Sequence, residues 1–81
     1  MRLVIEWDVS QCRSGISATA RQLCLSGHGY DQAAALASLH RAVAAWVMGL
    51  TVADRLTEAL EVRGIRCEEG SAGFVIDLRV A

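Results

Sequence analysis

The stretch LSGHGYDQAAAL, residues 25–36, is where the sequence changes from a strand-like to a helix-like pattern. A histidine stands between two glycines, and an alanine-rich stretch without proline follows Asp31 closely. The carboxylate of Asp31 can accept hydrogen bonds from the free N–H groups of a first helical turn, as a good N-cap does. We therefore predict that residues 27–30 connect a strand to a helix that begins at Gln32.

Upstream of this connection, the chain predicts three short strands. Residues 3–9 and residues 16–20 alternate between apolar and polar side chains, which is typical of half-buried strands. A polar stretch that ends in Gly15 separates them and predicts a hairpin turn. Residues 23–26 predict a short third strand that leads into the connection.

Downstream, two helices are expected. Apolar residues within and just after residues 32–48 recur at three- and four-residue steps, so they form one helical face. The members of that face are Leu36, Leu39, Val43, Trp46, Val47 and Leu50. Gly49 is placed to end this helix. Residues 51–54 resemble a capping box that starts a second helix, and Gly64 is placed to end it.

The remaining elements complete the predicted fold. Residues 65–68 predict a brief strand, residues 69–73 a turn, and residues 74–80 an alternating final strand. The order predicts a single domain over residues 1–81 with an α+β fold. In this fold, the helices pack on one face of an antiparallel β-β-β-α-α-β sheet.

Composition and charge exclude several classes of function. Eight arginines and no lysine stand against nine acidic residues, and no basic cluster is present, so DNA or RNA binding is not expected. No apolar stretch reaches the ~18 residues of a membrane span, and Glu6 comes too early for the apolar core of a signal peptide. A cytoplasmic protein is therefore expected, and its three cysteines, an odd number, are then expected to be reduced thiols.

Cysteine, histidine and acidic residues, which can take part in catalysis or bind metal ions, are present, but they do not occur at the spacings typical of such sites. Cys24 and His28 form the nearest pair in the sequence, and neither a third orienting group nor further ligands accompany them. Glu6 and Asp8 share the polar side of the first strand, where solvated charges are expected. We therefore predict no catalytic residues, no metal site and no cofactor.

The predicted connection is the one candidate binding site. Its glycines permit positive φ angles and the close approach of another group, and the N–H groups of a first helical turn favour an anion. One hypothesis is therefore that Gly27, His28, Gly29 and Asp31 contact a carboxylate, a phosphate or an acidic side chain of a ligand or partner, although the residues favour the plainer interpretation. That favoured interpretation is a tight bend with His28 in water, because Asp31 already supplies a negative charge at the start of the helix.

The same region resembles a known family. The sequence GYDQAAAL, residues 29–36, is similar to the G-x-T-x-x-E-A-L motif that starts the helix in HicB-like antitoxins. Residues 3–6 resemble that family's first strand. Asp31 replaces the threonine of the motif and retains the cap, whereas Ala34 replaces its glutamate and removes the reciprocal cap. The resemblance covers about residues 2–50.

This resemblance implies a partial ribonuclease-H-like sheet of order β-β-β-α-β, without catalytic carboxylates. HicB-like domains neutralise a small ribonuclease toxin by covering its active site, so the resemblance implies non-enzymatic protein binding with a small toxin protein as partner. Many members also carry a DNA-binding tail, which this chain is expected to lack because it ends one strand after its helices. The alternative function is a small-molecule or anion-binding oligomer that uses residues 27–31.

Strand edges are a second reason to expect a protein partner. Natural sheets usually protect their edges with lysine, proline or bulges, and this chain contains neither lysine nor proline. Hydrophobic residues make up 53% of the chain, and Val4 and Val75 add apolar side chains on the polar sides of their strands. We therefore predict that the protein forms a homo-oligomer or pairs with a different chain.

Overall fold

The structure, a computed structural model, describes residues 2–68 and 75–80 and confirms the α+β class. Its elements in chain order are β1 Arg2–Cys12, β2 Gly15–Ala20, a 3₁₀ turn Arg21–Leu23, β3 Leu25–Gly29, α1 Gln32–Val52, α2 Leu56–Val62, β4 Arg66–Glu68 and β5 Val75–Val80. The turn predicted at residues 69–73, and Phe74 at the start of the predicted last strand, lie outside the described residues.

β1 is the central strand of the sheet. It pairs antiparallel with β2 through residues 8–12, antiparallel with β4 through residues 2–4, and parallel with β5 through residues 2–7. Because β4 and β5 pair with the same part of β1, they lie on its opposite edges. The side-chain amide of Gln22 donates a hydrogen bond to the carbonyl oxygen of Gly64 at 3.3 Å. This contact places β4 on the edge that β2 occupies and leaves β5 on the other.

The predicted antiparallel arrangement holds for the β1–β2, β2–β3 and β1–β4 pairs, whereas the β1–β5 pair is parallel. Parallel strands cannot be joined by a tight hairpin and need a crossover connection, usually helical. Here α1 and α2 lie between β1 and β5 in the chain. The chain can therefore return across the sheet before β5, which then runs in the same direction as β1.

α1 crosses one face of the sheet, which we call the helix face; the opposite side is the open face. Ala35, Leu39, Val43 and Val47 recur every four residues along α1 and are buried. They belong to one core with Leu3, Ile5, Trp7, Ala18, Ala20, Leu23, Leu56, Leu60 and Ile65. By length and composition alone α1 is apolar enough to span a bilayer. Its buried stripe makes it the central helix of this core.

Two glycines let α1 approach β3 at backbone distance. A Cβ atom at Gly27 would lie 2.7 Å from the carbonyl oxygen of Ala35, and one at Gly29 would lie 2.5 Å from the Cβ of Ala34. Such distances are too short for carbon, so a side chain at either position would push α1 away. Ala18, the β2 partner of Gly27, is also fully buried. Small residues on β2 and β3 thus set the helix close to this side of the sheet.

The prediction for the third strand was wrong in its position. β3 spans Leu25–Gly29 rather than residues 23–26. Leu23 belongs to the 3₁₀ turn, and Cys24 redirects the chain with a φ of 55°. The glycines are strand residues that accommodate a neighbouring helix, and only residues 30 and 31 connect the strand to α1.

The predicted boundary between the two helices was also wrong. α1 continues through Gly49, which has no positive φ, because a glycine inside a helix costs only about 1 kcal/mol. The capping box predicted at residues 51–54 does not form. Instead, the hydroxyl of Thr51 donates to the carbonyl oxygen of Val47 at 2.8 Å within α1, and α2 begins only at Leu56.

Asp54 ends α1 in a conformation that usually requires glycine. Its φ is 56°, and its N–H donates to the carbonyl oxygen of Thr51 at 3.1 Å. The N–H of Arg55 donates to the carbonyl oxygen of Leu50 at 2.9 Å, which completes a Schellman motif. Gly64, with a φ of 67°, ends α2 with the same pair of bonds, and the prediction for this glycine is confirmed.

Candidate functional site

The site predicted at Gly27, His28, Gly29 and Asp31 is not a loop. Its first three residues belong to β3, and α1 lies directly over the two glycines. His28 pairs with Ser17 of β2 and is exposed on the open face. The close approach that the glycines permit is therefore used by the protein's own helix rather than by a ligand.

Asp31 is the N-cap of α1, as predicted. Its Oδ1 atom accepts a hydrogen bond from the N–H of Ala34 at 2.8 Å, and its carbonyl oxygen accepts one from the N–H of Ala35 at 3.0 Å. A helix N-terminus attracts anions through free N–H groups. In this helix, Asp31 already engages one of those groups, the N–H of Ala34, and supplies a negative charge of its own.

Replacing Asp31 with alanine is expected to lower the free energy of unfolding by about 1 kcal/mol, because the N–H of Ala34 loses its acceptor. Asp31→Asn retains an acceptor and is expected to stay close to the wild type. Denaturant unfolding of the three proteins measures both effects. Equal losses in both variants would contradict a capping role.

Reactive side chains elsewhere are not grouped. Within residues 2–68 and 75–80, no three histidine, cysteine or acidic side chains lie close enough together to hold a metal ion. Cys12, Cys24 and Cys67 are free thiols on the surface. Partial burial raises the pKa of the Cys67 thiol, which favours the less reactive protonated form. The expectation that the protein has no catalytic residue and no cofactor stays a prediction.

A small cavity of about 70 Å³ lies where β1, β2 and the 3₁₀ turn meet. Its lining consists of Glu6, Trp7, Asp8, Thr19, Arg21 and Gln22. Asp8 and Arg21 form an ion pair of 2.8 Å at the surface. The indole N–H of Trp7 is buried and has no hydrogen-bond partner in the part of the chain that the structure describes. This space suits a few water molecules rather than an organic substrate.

The larger concavity is an apolar groove of about 420 Å³ between the C-terminal half of α1 and β5. Its lining consists of His40, Ala44, Val47, Met48, Thr51, Val52 and Ile76. Met48 and Val52 form its outer wall and are 68% and 88% exposed. Large apolar side chains on a helix are normally buried. The groove is therefore an exposed apolar surface, and proteins usually bury such surfaces in contacts with another molecule.

α2 covers the other flank of α1. On that side, Trp46 and Leu50 pack against the core, and the guanidinium carbon of Arg63 lies 5.5 Å from the centre of the Trp46 ring. This distance is within the range of a cation–π contact. The flank that faces β5 has no corresponding helix among the described elements. The asymmetry explains why the groove lies on that side.

β5 extends the exposed apolar surface beyond the groove. Ile76 and Leu78 are half-buried on the helix face, and Val80 on the same face is 71% exposed. Within residues 2–68 and 75–80, β5 pairs only with β1, so backbone N–H and C=O groups on its outer edge have no strand partner. Such an edge is a template for pairing with another strand.

Val4 and Val75, the two valines on the open face, were both predicted to be exposed, and the prediction is correct only for Val75. Val75 is 40% exposed, as expected, whereas Val4 is only 6% exposed. Val4 is buried because β4 and β5 flank it on both sides, where Arg66 and Asp77 are its neighbours in register. The apolar surface therefore lies mainly on the helix side of β5 rather than on the open face.

The open face of β5 carries an ion pair. Nη2 of Arg79 lies 2.9 Å from Oδ2 of Asp77, and Nε of Arg79 lies 3.1 Å from the same oxygen. The hydrogen bond to Asp77, together with its charge, raises the pKa of Arg79 above its usual range. A surface pair of this kind adds little stability. It does place one negative and one positive charge two residues apart along an open strand edge.

The sequence predicted α1 and β5, the two elements that form the groove, but it did not predict the groove itself. Ala44, Met48 and Val52 follow one another at four-residue spacing, outside the predicted buried face of α1. This second apolar stripe was the available signal. Ile76 joins the stripe only because β5 pairs in parallel with β1, and the sequence pattern does not specify that pairing.

No family model, no curated protein and no solved structure matches this chain. Fold and surface therefore define it by class: a small α+β domain with helices on one face of its sheet and an apolar groove beside a strand edge. The HicB-like resemblance remains a hypothesis that rests on residues 2–50.

Proposed function

We propose that this protein is a non-enzymatic binding domain that covers the surface of another protein chain. The observation that carries this proposal is the groove formed by α1 and β5, where Met48 and Val52 stay exposed beside Ile76. Burial of apolar side chains is the main favourable contribution to protein association. A partner that fills the groove gains this contribution and can add backbone hydrogen bonds along β5.

The composition of the α1 surface supports the same proposal. Apart from Arg41, His40 and a few small polar residues, the outward side of the helix consists largely of alanine, with Met48 and Val52 near its end. Alanine allows the backbone of a partner to come close, and it has no side-chain entropy to lose on burial. Of the residues that line the groove, only His40 and Thr51 carry potentially reactive side chains, and the hydroxyl of Thr51 donates a hydrogen bond to the carbonyl oxygen of Val47.

A narrower form of the proposal names the partner as a small ribonuclease toxin. It is supported by the residues that resemble HicB-like antitoxins and by the order β1-β2-β3-α1, which is the order that this resemblance implies. The alternative of an anion site at residues 27–31 assumed a glycine loop. Those glycines are strand residues beneath α1, so nothing in the geometry favours that alternative.

The test is to capture partners from the native host with immobilised protein, comparing two variants. Met48→Asp places a charge inside the groove, whereas Val62→Asp places one at a similarly exposed helical position outside it. Because burying a charge next to apolar side chains is costly, Met48→Asp is expected to reduce partner retention at least about 10-fold. Val62→Asp is expected to retain the partner as the wild type does.

Mass spectrometry of the retained protein then decides the narrower form, since a small ribonuclease supports the antitoxin proposal and any other protein contradicts it. Loss of partner with both variants would show a general effect of added charge. If Met48→Asp binds as the wild type does, or if no protein is retained at all, the groove is not the binding surface and the proposal fails.

A further inference from the structure

We propose that the strand edge of β5 binds a second copy of this chain, with the two β5 strands antiparallel and Leu78 opposite the second copy's Leu78. This inference rests on the proposed function, because it names the partner that occupies the β5 side of the same surface. Three observations carry it: the sequence symmetry of β5, the charges on its open face, and the exposure of Val80 on its helix face.

The sequence of β5, VIDLRV, is symmetric in residue character about Leu78. In an antiparallel pair related by a two-fold axis, residues that face each other point to the same side of the sheet. With the axis at Leu78, Ile76 faces the second copy's Val80 on the helix face. On the open face, Asp77 then faces the second copy's Arg79. Every pair in this register is either apolar with apolar or acid with base.

Shifting the register removes this complementarity. Only shifts that keep the helix faces of both copies on the same side are compatible with a continuous sheet. The nearest such registers centre the axis on Asp77 or on Arg79. They place two carboxylates or two guanidinium groups directly opposite each other, which destabilises a strand pair. The charges therefore select the register centred on Leu78 over its neighbours.

The same register covers the exposed apolar surface. Val80 is 71% exposed on the helix face, and Ile76 is part of the groove lining. Pairing Ile76 with the second copy's Val80 sets that valine at the open side of the groove, and the two-fold axis repeats the contact. Met48 and Val52 of both copies then lie on the same side of one continuous sheet. The dimer thus covers the strand edge and places an apolar side chain beside the groove.

The other long edge of the sheet does not offer an equivalent surface. β3 contains two glycines, which are poor strand formers, and it carries no pair of opposite charges. Its helix face is already in contact with α1 through Gly27 and Gly29. β4, which has only three residues, offers a shorter edge. Among the described strands, β5 is the one whose edge and apolar face are both exposed.

The test uses charge reversal on β5 and measures mass by light scattering across a concentration series. Wild type is expected to be a dimer. Asp77→Arg makes both charges of β5 positive, so like charges face each other twice, and the dimer Kd is expected to rise at least about 10-fold. Arg79→Asp makes both charges negative, with the same expected effect. The double variant Asp77→Arg with Arg79→Asp restores acid opposite base and is expected to dimerise again.

Mixing the two single variants provides the decisive control. Each is expected to be largely monomeric alone, and together they are expected to form a one-to-one heterodimer, since every acid then faces a base. Recovery on mixing also shows that both variants are folded. A monomeric wild type, unchanged association in Asp77→Arg, or no heterodimer from two folded variants would each overturn this inference. The proposed function would still stand if a different protein binds in a manner that Met48→Asp abolishes.

Discussion

Gly27→Ala is expected to lower the free energy of unfolding by about 3 kcal/mol. The added methyl group would meet backbone atoms of α1, including the carbonyl oxygen of Ala35 at 2.7 Å. Backbone atoms cannot rotate away as a flexible side chain can, so α1 has to move off β3. A domain of this size has only roughly 4–12 kcal/mol of stability. We therefore expect Tm to fall by roughly 12–24 °C in a thermal unfolding experiment followed by circular dichroism.

Gly49→Ala is the matched control, because it makes the same chemical change within α1. A Cβ atom at Gly49 meets nothing within 4 Å, and this glycine lies inside the helix without a positive φ. Alanine is the better helix former by roughly 0.8–1 kcal/mol, so this variant is expected to be slightly more stable than the wild type. If Gly27→Ala leaves Tm unchanged, α1 does not lie on β3 as closely as described.

Val43→Ala is expected to cost about 2 kcal/mol. Val43 is fully buried at the centre of the α1 stripe. Its replacement removes two methyl groups, each worth roughly 0.8 kcal/mol when buried, and leaves a cavity that adds a further cost. The higher helix propensity of alanine offsets about half a kcal/mol of this loss. Urea unfolding of the purified variant measures the difference at constant temperature.

Val62→Ala makes the same substitution at an exposed position in α2, where the valine is 78% exposed. Little apolar surface is lost from the core there, so the free energy of unfolding is expected to stay within about 0.5 kcal/mol of the wild type. Similar losses at Val43 and Val62 would contradict the burial of the α1 stripe. A denaturant midpoint that changes only for Val43→Ala would support it.

The sequence alone was enough to predict those elements whose patterns involve residues close together in the chain. Alternation along β1 and β2, and the cap at Asp31, depend on residues a few positions apart. The structure agrees with them except that Val4 is buried and residues 10–12 extend β1 instead of forming the turn. Glycines were harder to interpret, because glycine has more than one use. Gly27 serves close packing rather than chain reversal, and Gly49 is tolerated within a helix. Neither use can be recognised without knowing what lies across from the residue.

The groove between α1 and β5 could not be predicted from local sequence patterns either, because it also depends on residues that are distant in the chain. The groove requires Met48 of α1 and Ile76 of β5 to lie side by side, and their positions depend on the parallel pairing of β5 with β1. No spacing in the sequence encodes that long-range contact. His28, by contrast, was predicted as a contact residue because two glycines flank it. Those glycines are needed because α1 packs directly against them, and they do not indicate a binding site.

The parallel contact between β1 and β5 also has a consequence for how the chain is synthesised. β1, β2, β3 and α1 leave the ribosome in succession and can assemble from contacts between near neighbours, whereas β5 emerges long after them. Until it emerges, one side of the central strand remains bare in the nascent polypeptide. Contacts between distant segments form slowly and leave such intermediates open to aggregation. The pairing of β5 with β1 is therefore expected to be the late, slow step when the full chain refolds.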